Sequence, residues 1–367
     1  MKSNTFKVFN IDTPKNFSSY LKECAKINDD NPFFKFDLNL NNKFSKNSIH
    51  YFVLHKANNP IILMPIVLRP ITINNKQTTF NDVISPYGYS GPLISKEANE
   101  KDMNEFWQLA DLWYKENNVI TEFIRFSLNN NTLGYNGKII PTLKNVCGEL
   151  TDPNTIWNKF DKKVRNNYRK SVENQLTFHI YSGNMEPKIV SQFYDIYKNT
   201  MIRRNADIDL YFSLNYFQNY VKLNPQHCAI AIVSKSNTPI SAEFLLLSRD
   251  TIYSYLGGTN ADFFNCRPND FLKVNIINWA IENGYKTYVL GGGRMDNDNL
   301  YAYKKSFFPK ENDITFYTGR KIVNQEIYKY LNEEIKNSLT MSSINYSDPN
   351  TNDFFPMYRK PINSISI

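Results

Sequence analysis

The stretch TIYSYLGGTNADFFNCRPNDFLKVNIINWAIENGYKTYVLGGG, residues 251–293, decides the fold class of this chain. It begins with a strand-like run that ends in two glycines. Pro268 then predicts the start of a helix, because the first helical turn does not need the amide hydrogen that proline lacks. Gly284 stands where a helix C-terminal cap belongs, and the strand KTYVL follows it. The order strand, helix, strand predicts an α/β fold with mixed sheets.

The regions on either side of this stretch extend the pattern. CAIAIVSK and PISAEFLLLS predict two further strands upstream, and YAYKKSFF predicts an aromatic helix downstream. Near residue 150 the composition changes. Asp152 can cap a helix opened by Pro153, and we expect that helix to run on through KFDKKVRNNYRKS. A chain of 367 residues is about the right length for two domains.

The charge balance of the chain limits its partners. The formal net charge is +8 and the pI is about 9.0. An excess of this size favours anionic partners: nucleotides, sugar phosphates, RNA or an acidic membrane face. It does not choose among them.

The cysteines and the chain start indicate a cytoplasmic protein. The four cysteines are widely scattered and include no CxxC pair, which suits a reducing compartment better than disulfides or a zinc site. We therefore predict no metal. The start MKSNTFKVFNIDTPKNF lacks the apolar core of a signal peptide, and no run approaches a membrane span.

The glycines 291–293 follow a strand, as phosphate-binding loops do. Their spacing fits neither GxGxxG nor GxxxxGK[ST], so the dinucleotide and Walker interpretations fail. Two interpretations stay open. The glycines provide a positive φ or close backbone packing, or they contact a ligand directly.

Two basic segments are candidate anion sites. Arg165 lies in KFDKKVRNNYRKS, whose positive charges could attract a nucleotide or RNA backbone or could form a solvated face. Arg203 and Arg204 end the next helix, where they either complement the helix dipole or bind an anion.

Two charged residues are candidate catalytic groups. Glu243 is a lone acid in the apolar strand SAEFLLL, and it is either a general base near a cleft or an outward-facing residue at a sheet edge. Lys304 lies among the rings of YAYKKSFF. A lysine held there could stabilise a developing oxyanion, or its stem could cover aromatic surface while its ammonium is solvated.

The order of elements over residues 239–319 resembles a known family. An aromatic-Leu-Gly-Gly strand end is followed by a helix that starts at proline and contains Trp-Ala, a strand ending in glycine and an aromatic-Lys-x-x-Phe helix. KKVRNNYRKS, YKNTMIRRN and the loop SPYGYSGP resemble further segments of that family. The chain is similar to the FemABX-type peptidyltransferases and the BioF2-like acetyltransferases of the GNAT superfamily.

The resemblance implies two tandem GNAT-like acyltransferase domains with a cleft between them. Residues 1–150 would form the first domain, residues 151–319 the second domain with the active site, and the tail 320–367 would return to the first. The implied enzyme is an N-acyltransferase that uses acyl-CoA or aminoacyl-tRNA as co-substrate, with no tightly bound cofactor. The alternative is a non-catalytic binding module whose basic cleft takes a nucleotide or RNA.

The resemblance also implies partners. The acceptor would be an amine of a nucleotide-linked sugar or a lipid-linked envelope precursor, with roles in peptidoglycan, cell-wall or surface-polysaccharide synthesis. tRNA and a peripheral contact with the membrane are further implied partners, and the oligomeric state is left open.

The candidate site residues fall into a catalytic and a substrate-binding group. The resemblance implies Lys304 in the first, and Thr200, Arg203 and Tyr255 in the second as residues that line a sugar-nucleotide diphosphate site. Lys304 matches the family lysine that neutralises charge as the ester or thioester carbonyl is attacked, and Glu243 is a second, weaker catalytic candidate. Tyr303 stands where the family more often has phenylalanine. The residues expected to bind substrate are Thr200, Arg203, Arg204, Tyr253, Tyr255, Arg165, Tyr303 and Phe307.

Overall fold

The structure, a computed structural model, describes residues 4–27, 30–35, 47–74, 76–207, 210–338 and 354–360. The chain divides into two compact units. Unit 1 comprises Met1–Asp29, Asn41–Thr142 and Thr315–Ile367, and unit 2 comprises Asp30–Leu40 and Leu143–Ile314.

The strands and helices, numbered in chain order, belong to a mixed α/β protein, as the sequence predicts. The strands are β1 Thr5–Asn10, β2 Ser48–Lys56, β3 Asn59–Ile73, β4 Lys76–Ile84, β5 Leu93–Ile94, β6 Val119–Arg125, β7 Lys138–Glu149, β8 Thr177–Ser182, β9 Cys228–Lys235, β10 Thr238–Leu247, β11 Thr251–Thr259, β12 Thr287–Gly291 and β13 Ile314–Ile322. The helices are α1 Pro14–Ile27, α2 Glu100–Glu116, α3 Pro153–Lys159, α4 Lys162–Glu173, α5 Pro187–Arg203, α6 Leu214–Leu223, α7 Pro268–Glu282, α8 Asn299–Lys305 and α9 Gln325–Ser338. Short 3-10 helices span Pro32–Phe34, Pro225–His227, Ala261–Cys266 and Met357–Arg359.

The two units repeat one topology. In unit 1 the strand order is β1-β2-β3-β4-β6-β13, and in unit 2 it is β8-β9-β10-β11-β12-β7. In each order the first three pairings are antiparallel, the fourth is parallel and the fifth is antiparallel. The parallel pair is joined by a crossover helix in both units, α2 in unit 1 and α7 in unit 2. The chain therefore contains the same βα arrangement twice.

The sixth strand of each unit is exchanged. β7 follows β6 in the chain but pairs with β12, and β13 follows β12 but pairs with β6. The sequence pattern predicts both strands, but their partners depend on pairing between residues far apart in the chain.

Local signals fix the ends of several elements. Gly284 has a φ of 80° just after α7, as expected for a helix C-terminal cap. Asp152 accepts a hydrogen bond from the Thr155 amide at 2.9 Å and caps α3. The helix expected to continue from Pro153 is instead two helices, because Phe160 has a ψ of 148° and ends α3. Phe160 is buried against Phe307, with ring centroids 5.8 Å apart, and this packing places the break.

Each unit has its own hydrophobic core. In unit 1, α2 packs its aromatic side chains against β2, β3 and β6. In unit 2, α7 lies deep in the core and is buried on most of its faces, including the faces that carry Asp270 and Lys273. Among the described residues, no helix combines the length and the apolar character that crossing a membrane requires.

Candidate functional site

The parallel strands of unit 2, β11 and β12, separate before β11 ends. β11 pairs with β12 only from Thr251 opposite Thr287 to Tyr253 opposite Val289, yet β11 continues to Thr259. No further pairing joins these two strands within the described residues. Beyond Tyr253, the edge of β11 that faces β12 therefore has backbone amide and carbonyl groups that do not pair with that strand. Such groups can form hydrogen bonds with an extended ligand.

The equivalent strands of unit 1 remain together. β4 pairs with β6 up to Ile84 opposite Phe123, where β4 ends. The chain then stays attached, because the amide of Ser85 donates to the carbonyl oxygen of Phe123 at 3.0 Å and Ser90 forms a bridge with Phe126. Of the two described parallel pairs, the one in unit 2 diverges.

A buried ion pair lies where β11 and β12 part. The Lys273 ammonium donates to both carboxylate oxygens of Glu243, at 2.6 and 2.5 Å. It also donates to Ser254 Oγ at 2.9 Å and to the Tyr288 hydroxyl at 3.2 Å. The Tyr288 hydroxyl in turn donates to Glu243 at 2.9 Å. These groups form one buried hydrogen-bonded network that joins α7, β10, β11 and β12.

The electrostatics of this network follow from its burial. Removal from water lowers the pKa of Lys273, and the neighbouring Glu243 carboxylate opposes that shift. Burial also raises the pKa of Tyr288 well above its ordinary value, with a further contribution from the Glu243 charge. Glu243 is not an outward-facing residue at a sheet edge. It is buried on β10, between β9 and β11, and both of its oxygens already accept hydrogen bonds.

Lys304 lies on α8, near this pair. Its Nζ donates to the carbonyl oxygen of Gly292 at 2.7 Å. Burial, together with the Lys273 charge, lowers the pKa of Lys304 to about 8, against the opposing effects of Glu243 and Asp298. The ammonium of Lys304 is thus held at the end of β12 in a desolvated position, unlike a lysine whose head extends into water.

The three glycines after β12 form the corner that Lys304 contacts. Gly291 has a φ of 77°, which favours glycine. A Cβ on Gly292 would lie 2.9 Å from the carbonyl oxygen of Lys144, and a Cβ on Gly293 would overlap the Asp298 carboxylate. The conformational interpretation of these glycines is therefore confirmed.

The same corner starts α8. Asp298 caps that helix by accepting from the amide of Tyr301 at 2.7 Å, and its other carboxylate oxygen accepts from the loop amide of Arg294 at 2.7 Å. The glycine turn and the Asp298 cap together orient α8 so that Lys304 lies against the end of β12.

Tyr303 and Phe307 pack beside Lys304. Their rings lie 5.3 Å apart, and Phe307 belongs to the core. The Tyr303 hydroxyl is buried and has no hydrogen-bond partner among the described residues. Burial, with smaller effects of the Asp270 and Glu243 charges, raises the pKa of Tyr303 well above its ordinary value.

Two residues of this site were missed at the level of sequence, Asp270 and Lys273. Both belong to α7, which begins PNDFLKVNII, and both are buried. Burial raises the pKa of Asp270 to about 6, against the opposing effects of Asn167, Arg267 and Lys163. The signal in the sequence is a pair of charges three residues apart among the apolar residues of the first turns of α7.

The other expected substrate-binding residues lie on other elements of unit 2. Thr200 and Arg203 bind the end of β11. The Thr259 amide donates to Thr200 Oγ1 at 3.0 Å, and Arg203 donates to the Thr259 carbonyl oxygen at 3.2 Å. The Arg203 guanidinium also lies 5.0 Å from the ring centre of Phe264, and Arg204 is the exposed C-cap residue of α5.

The tyrosines of β11 belong to an aromatic cluster. The Tyr253 ring lies 5.1 Å from that of Phe33, and the hydroxyls of Tyr255 and Tyr216 are 3.0 Å apart. The structure thus brings Lys304, Tyr303, Phe307 and Glu243 into one neighbourhood and places Tyr253 and Tyr255 on the diverging strand.

Arg165 has a local structural role. It donates to the carbonyl oxygens of Phe160 and of Asn158, the latter at 3.3 Å, and so closes the C-terminal turn of α3. The expectation that Arg165 binds substrate stays a prediction.

The comparisons with known proteins agree with this geometry. Residues 158–305 match the family model described as an acetyltransferase (GNAT) domain, a span that includes the diverging strands and Lys304. No curated protein matches the chain.

Three solved structures resemble most of the chain. FemX is 12% identical, with 76% of this chain and 89% of FemX covered at a TM-score of 0.58. The C-terminal domain of a putative lysylphosphatidylglycerol synthetase from Agrobacterium fabrum is 14% identical, with 84% and 93% covered at 0.56. A tandem GNAT protein from the clavulanic acid biosynthesis pathway is 7% identical, with 88% and 99% covered at 0.51. These structures establish the fold, and the family model identifies the domain with the site. Residues 158–305 therefore match an acetyltransferase (GNAT) domain, and the chain shares its fold with FemX and the tandem GNAT protein.

Proposed function

We propose that unit 2 transfers an acyl or aminoacyl group from an activated donor to an amine of a nucleotide-linked sugar or another cell-envelope precursor. The donor is acyl-CoA or aminoacyl-tRNA. The observation that carries the proposal is the Lys304 ammonium, which is half-buried and is fixed on the Gly292 carbonyl oxygen at 2.7 Å near the diverging strands.

The reaction needs little chemistry from the protein. The lone pair of the acceptor amine forms a C–N bond with the donor carbonyl carbon, and the carbonyl oxygen becomes negative. The donor C–S or C–O bond then breaks, and the proton lost by the amine ends on the leaving sulfur or oxygen. Placement of the two substrates and stabilisation of the oxyanion supply most of the rate in such a reaction.

Lys304 is suited to the oxyanion. An ammonium group has three N–H donors, and the bond to Gly292 uses one of them. The other two N–H groups of the ammonium lie in a poorly hydrated position, where an electrostatic interaction is stronger than in water. With a pKa of about 8, most Lys304 side chains carry the charge at neutral pH.

The donor class rests on two opposing features of unit 2. The part of β11 that lies beyond its pairing with β12 could bind the amides of an extended donor such as acyl-CoA by backbone hydrogen bonds. Against this, α7 starts with Pro268 and carries the buried acid Asp270 in its first turn. Its N-terminus is therefore a poor site for the diphosphate of a coenzyme A.

The acceptor class rests on charge and on similarity. The net charge of +8 favours an anionic acceptor, as nucleotide-linked and lipid-linked precursors are. One structural neighbour is the C-terminal domain of a putative lysylphosphatidylglycerol synthetase. The product in that name is a lipid that carries an aminoacyl group. We accordingly include peptidoglycan and surface-polysaccharide precursors among the acceptors to be tested, together with anionic lipid.

The test is a transfer assay with each donor separately. Acetyl-CoA and aminoacyl-tRNA are each incubated with UDP-sugar peptides and with anionic lipid vesicles, and amide or ester products are detected by mass spectrometry. A product from one donor that disappears in Lys304→Met supports the proposal. Binding of the ligands, seen as a rise in Tm, without transfer from either donor would favour the non-catalytic binding module instead.

A further inference from the structure

The separation of β11 from β12 coincides with an irregularity in each strand. Relative to its antiparallel neighbour β10, β11 carries one extra residue, Tyr255, and relative to its neighbour β7, β12 carries one extra residue, Leu290. Such β-bulges bend the strand that contains them. The last pair that β11 and β12 share is Tyr253 opposite Val289, so both bulges lie within two positions of it. Beyond that pair, β11 follows β10 and β12 follows β7.

Unit 1 provides a comparison for this separation. β6, the counterpart of β12, pairs with β13 in regular register over residues 121–125. Its parallel partner β4 stays attached to it beyond the last strand pair, through the amide of Ser85. The shared topology therefore does not by itself separate the two parallel strands, and the cause lies in the residues of unit 2.

One side chain of unit 2 contacts both strands where they separate. Lys273, from α7, donates to Ser254 Oγ at 2.9 Å and to the Tyr288 hydroxyl at 3.2 Å. Ser254 is the first residue of β11 beyond the paired segment and directly precedes the bulge, whereas Tyr288 belongs to the paired segment of β12. Glu243, on β10, accepts from the same ammonium with both carboxylate oxygens, at 2.6 and 2.5 Å. Lys273 thus joins three adjacent strands at the point of separation.

Ser254 occupies a position where a hydroxyl needs such a partner. If β11 and β12 continued in the register of their paired segment, Ser254 would lie opposite Leu290, which is fully buried in the apolar core of unit 2. A hydroxyl in such surroundings costs free energy unless it forms a hydrogen bond. Lys273 supplies that bond, and the ammonium is itself bound most closely by Glu243, on the side of β11 away from β12. The bond therefore holds this part of β11 on β10.

We propose that Lys273 and Glu243 are positioning residues that act through Ser254: they hold β11 on β10 beyond Tyr253 and so keep the edge that faces β12 available to the activated donor. The identity of the ligand rests on the proposed function, but the effect on the strands does not. An ion pair that only stabilises the fold predicts a different result, because its loss would loosen β11 rather than let it pair further along β12.

Amide hydrogen exchange in the full-length protein distinguishes these two roles. The exchange of the amides of residues 254–258 is read by mass spectrometry with fragmentation to single residues. Ser254→Ala removes the bond to Lys273 and keeps the ion pair. The strand should then pair further along β12, and the amides directed toward β12 should exchange about fivefold more slowly or less readily still. Unchanged or faster exchange of these amides would overturn the inference.

Two further variants of the same cluster sharpen the test. Lys273→Met combined with Glu243→Gln should slow the same amides, because it removes the anchor without leaving a buried charge unpaired. Ser254→Thr keeps the hydroxyl and should exchange as the wild type does. The matched control is Ser248→Ala, which removes a hydroxyl that donates to the Thr251 carbonyl oxygen at 3.1 Å, at the opposite end of β11. That variant should leave the exchange of residues 254–258 unchanged.

Transfer kinetics test the link to the donor separately. Where transfer is detected, Ser254→Ala should raise KM for the donor by about fivefold or more with little change in kcat, and Ser254→Thr should retain the wild-type KM. An unchanged donor KM in Ser254→Ala would overturn the assignment of this edge to the donor. The exchange measurement needs no turnover. A chain without transferase activity would thus refute the proposed function and leave the result on the strands valid.

Discussion

The Nζ of Lys304 lies 2.7 Å from the carbonyl oxygen of Gly292, twelve residues earlier in the chain. This hydrogen bond ties α8 to the glycine corner that ends β12. A lysine side chain is flexible in water, but here one of its ends is fixed by the helix and the other by a backbone carbonyl. The position of the charge is thus set by the backbone at two places.

The first prediction concerns Lys304 itself. Lys304→Met should lower kcat by about 100-fold or more, because one preorganised donor to the oxyanion is lost. The same change should raise the free energy of unfolding at pH 7 by about 1–2 kcal/mol, because a buried charge is replaced by an apolar side chain of similar length. Transfer kinetics and urea unfolding measure the two effects.

The gain in stability should depend on pH with a definite sign. The pKa of Lys304 is about 8 in the folded protein and 10.5 for an unperturbed lysine. The unfolded chain therefore binds more protons between these values, and the wild type gains stability as the pH rises through them. The advantage of Lys304→Met should be complete below pH 8 and absent above pH 10.5. The adjacent Lys305→Met is the control. It breaks the pair with Asp313 at 2.8 Å, and it should lose stability while transfer continues.

The second prediction concerns the glycine corner. Gly292→Ala places a Cβ 2.9 Å from the Lys144 carbonyl oxygen, so the backbone must shift and the anchor of Lys304 with it. A displacement of this kind should lower kcat by about 10-fold or more with little change in acceptor binding. Gly183→Ala is the control, since its Cβ would meet nothing within 4 Å. That variant should lose about 1 kcal/mol of stability for its positive φ and keep its kcat. A normal kcat in Gly292→Ala would show that the corner does not place Lys304.

The third prediction concerns unit 1. Asp82 is fully buried and binds Arg69 Nε at 2.7 Å and Arg359 Nε at 2.5 Å. Asp82→Asn leaves both guanidinium groups without their carboxylate, and it should lower the free energy of unfolding by about 3–5 kcal/mol. Lys26→Met, which breaks an exposed pair with Glu23, should change stability by less than about 1 kcal/mol. Equal effects of the two changes in urea unfolding would contradict the structural role of Asp82.

The fourth prediction concerns the thiols. Burial raises the pKa of Cys147 to about 11 and that of Cys228 to about 12, and the charges of Glu311 and Asp313 add to the shift at Cys147. Reaction requires the thiolate, so both cysteines should react very slowly with a thiol reagent at neutral pH in the folded protein. All four cysteines should react once the chain is unfolded in urea. Rapid labelling of Cys147 in the folded state would contradict its raised pKa.

Much of the second half of the fold is readable from local sequence. Pro268 and Gly284 mark the ends of α7, and the glycines before α8 have the steric roles that their spacing indicated. Lys304 became a candidate because it lies among aromatic residues after a glycine turn, and because the order of elements resembles a known family. These signals are short-range, since a cap or a turn involves residues within a few positions of each other.

Only the tertiary structure decided which charged residues and which strands pair with each other. Glu243 and Lys273 are separated by 30 residues, and nothing in either segment indicates that they form an ion pair. Asp82 and Arg359 are separated by 277 residues. The exchange of β7 and β13 between the units is equally invisible in either strand. Such partners depend on strand register and on helix packing, which arise when distant segments bury their apolar faces together. The sequence by itself thus determined the elements and the candidate lysine, and the fold determined the charges that surround it.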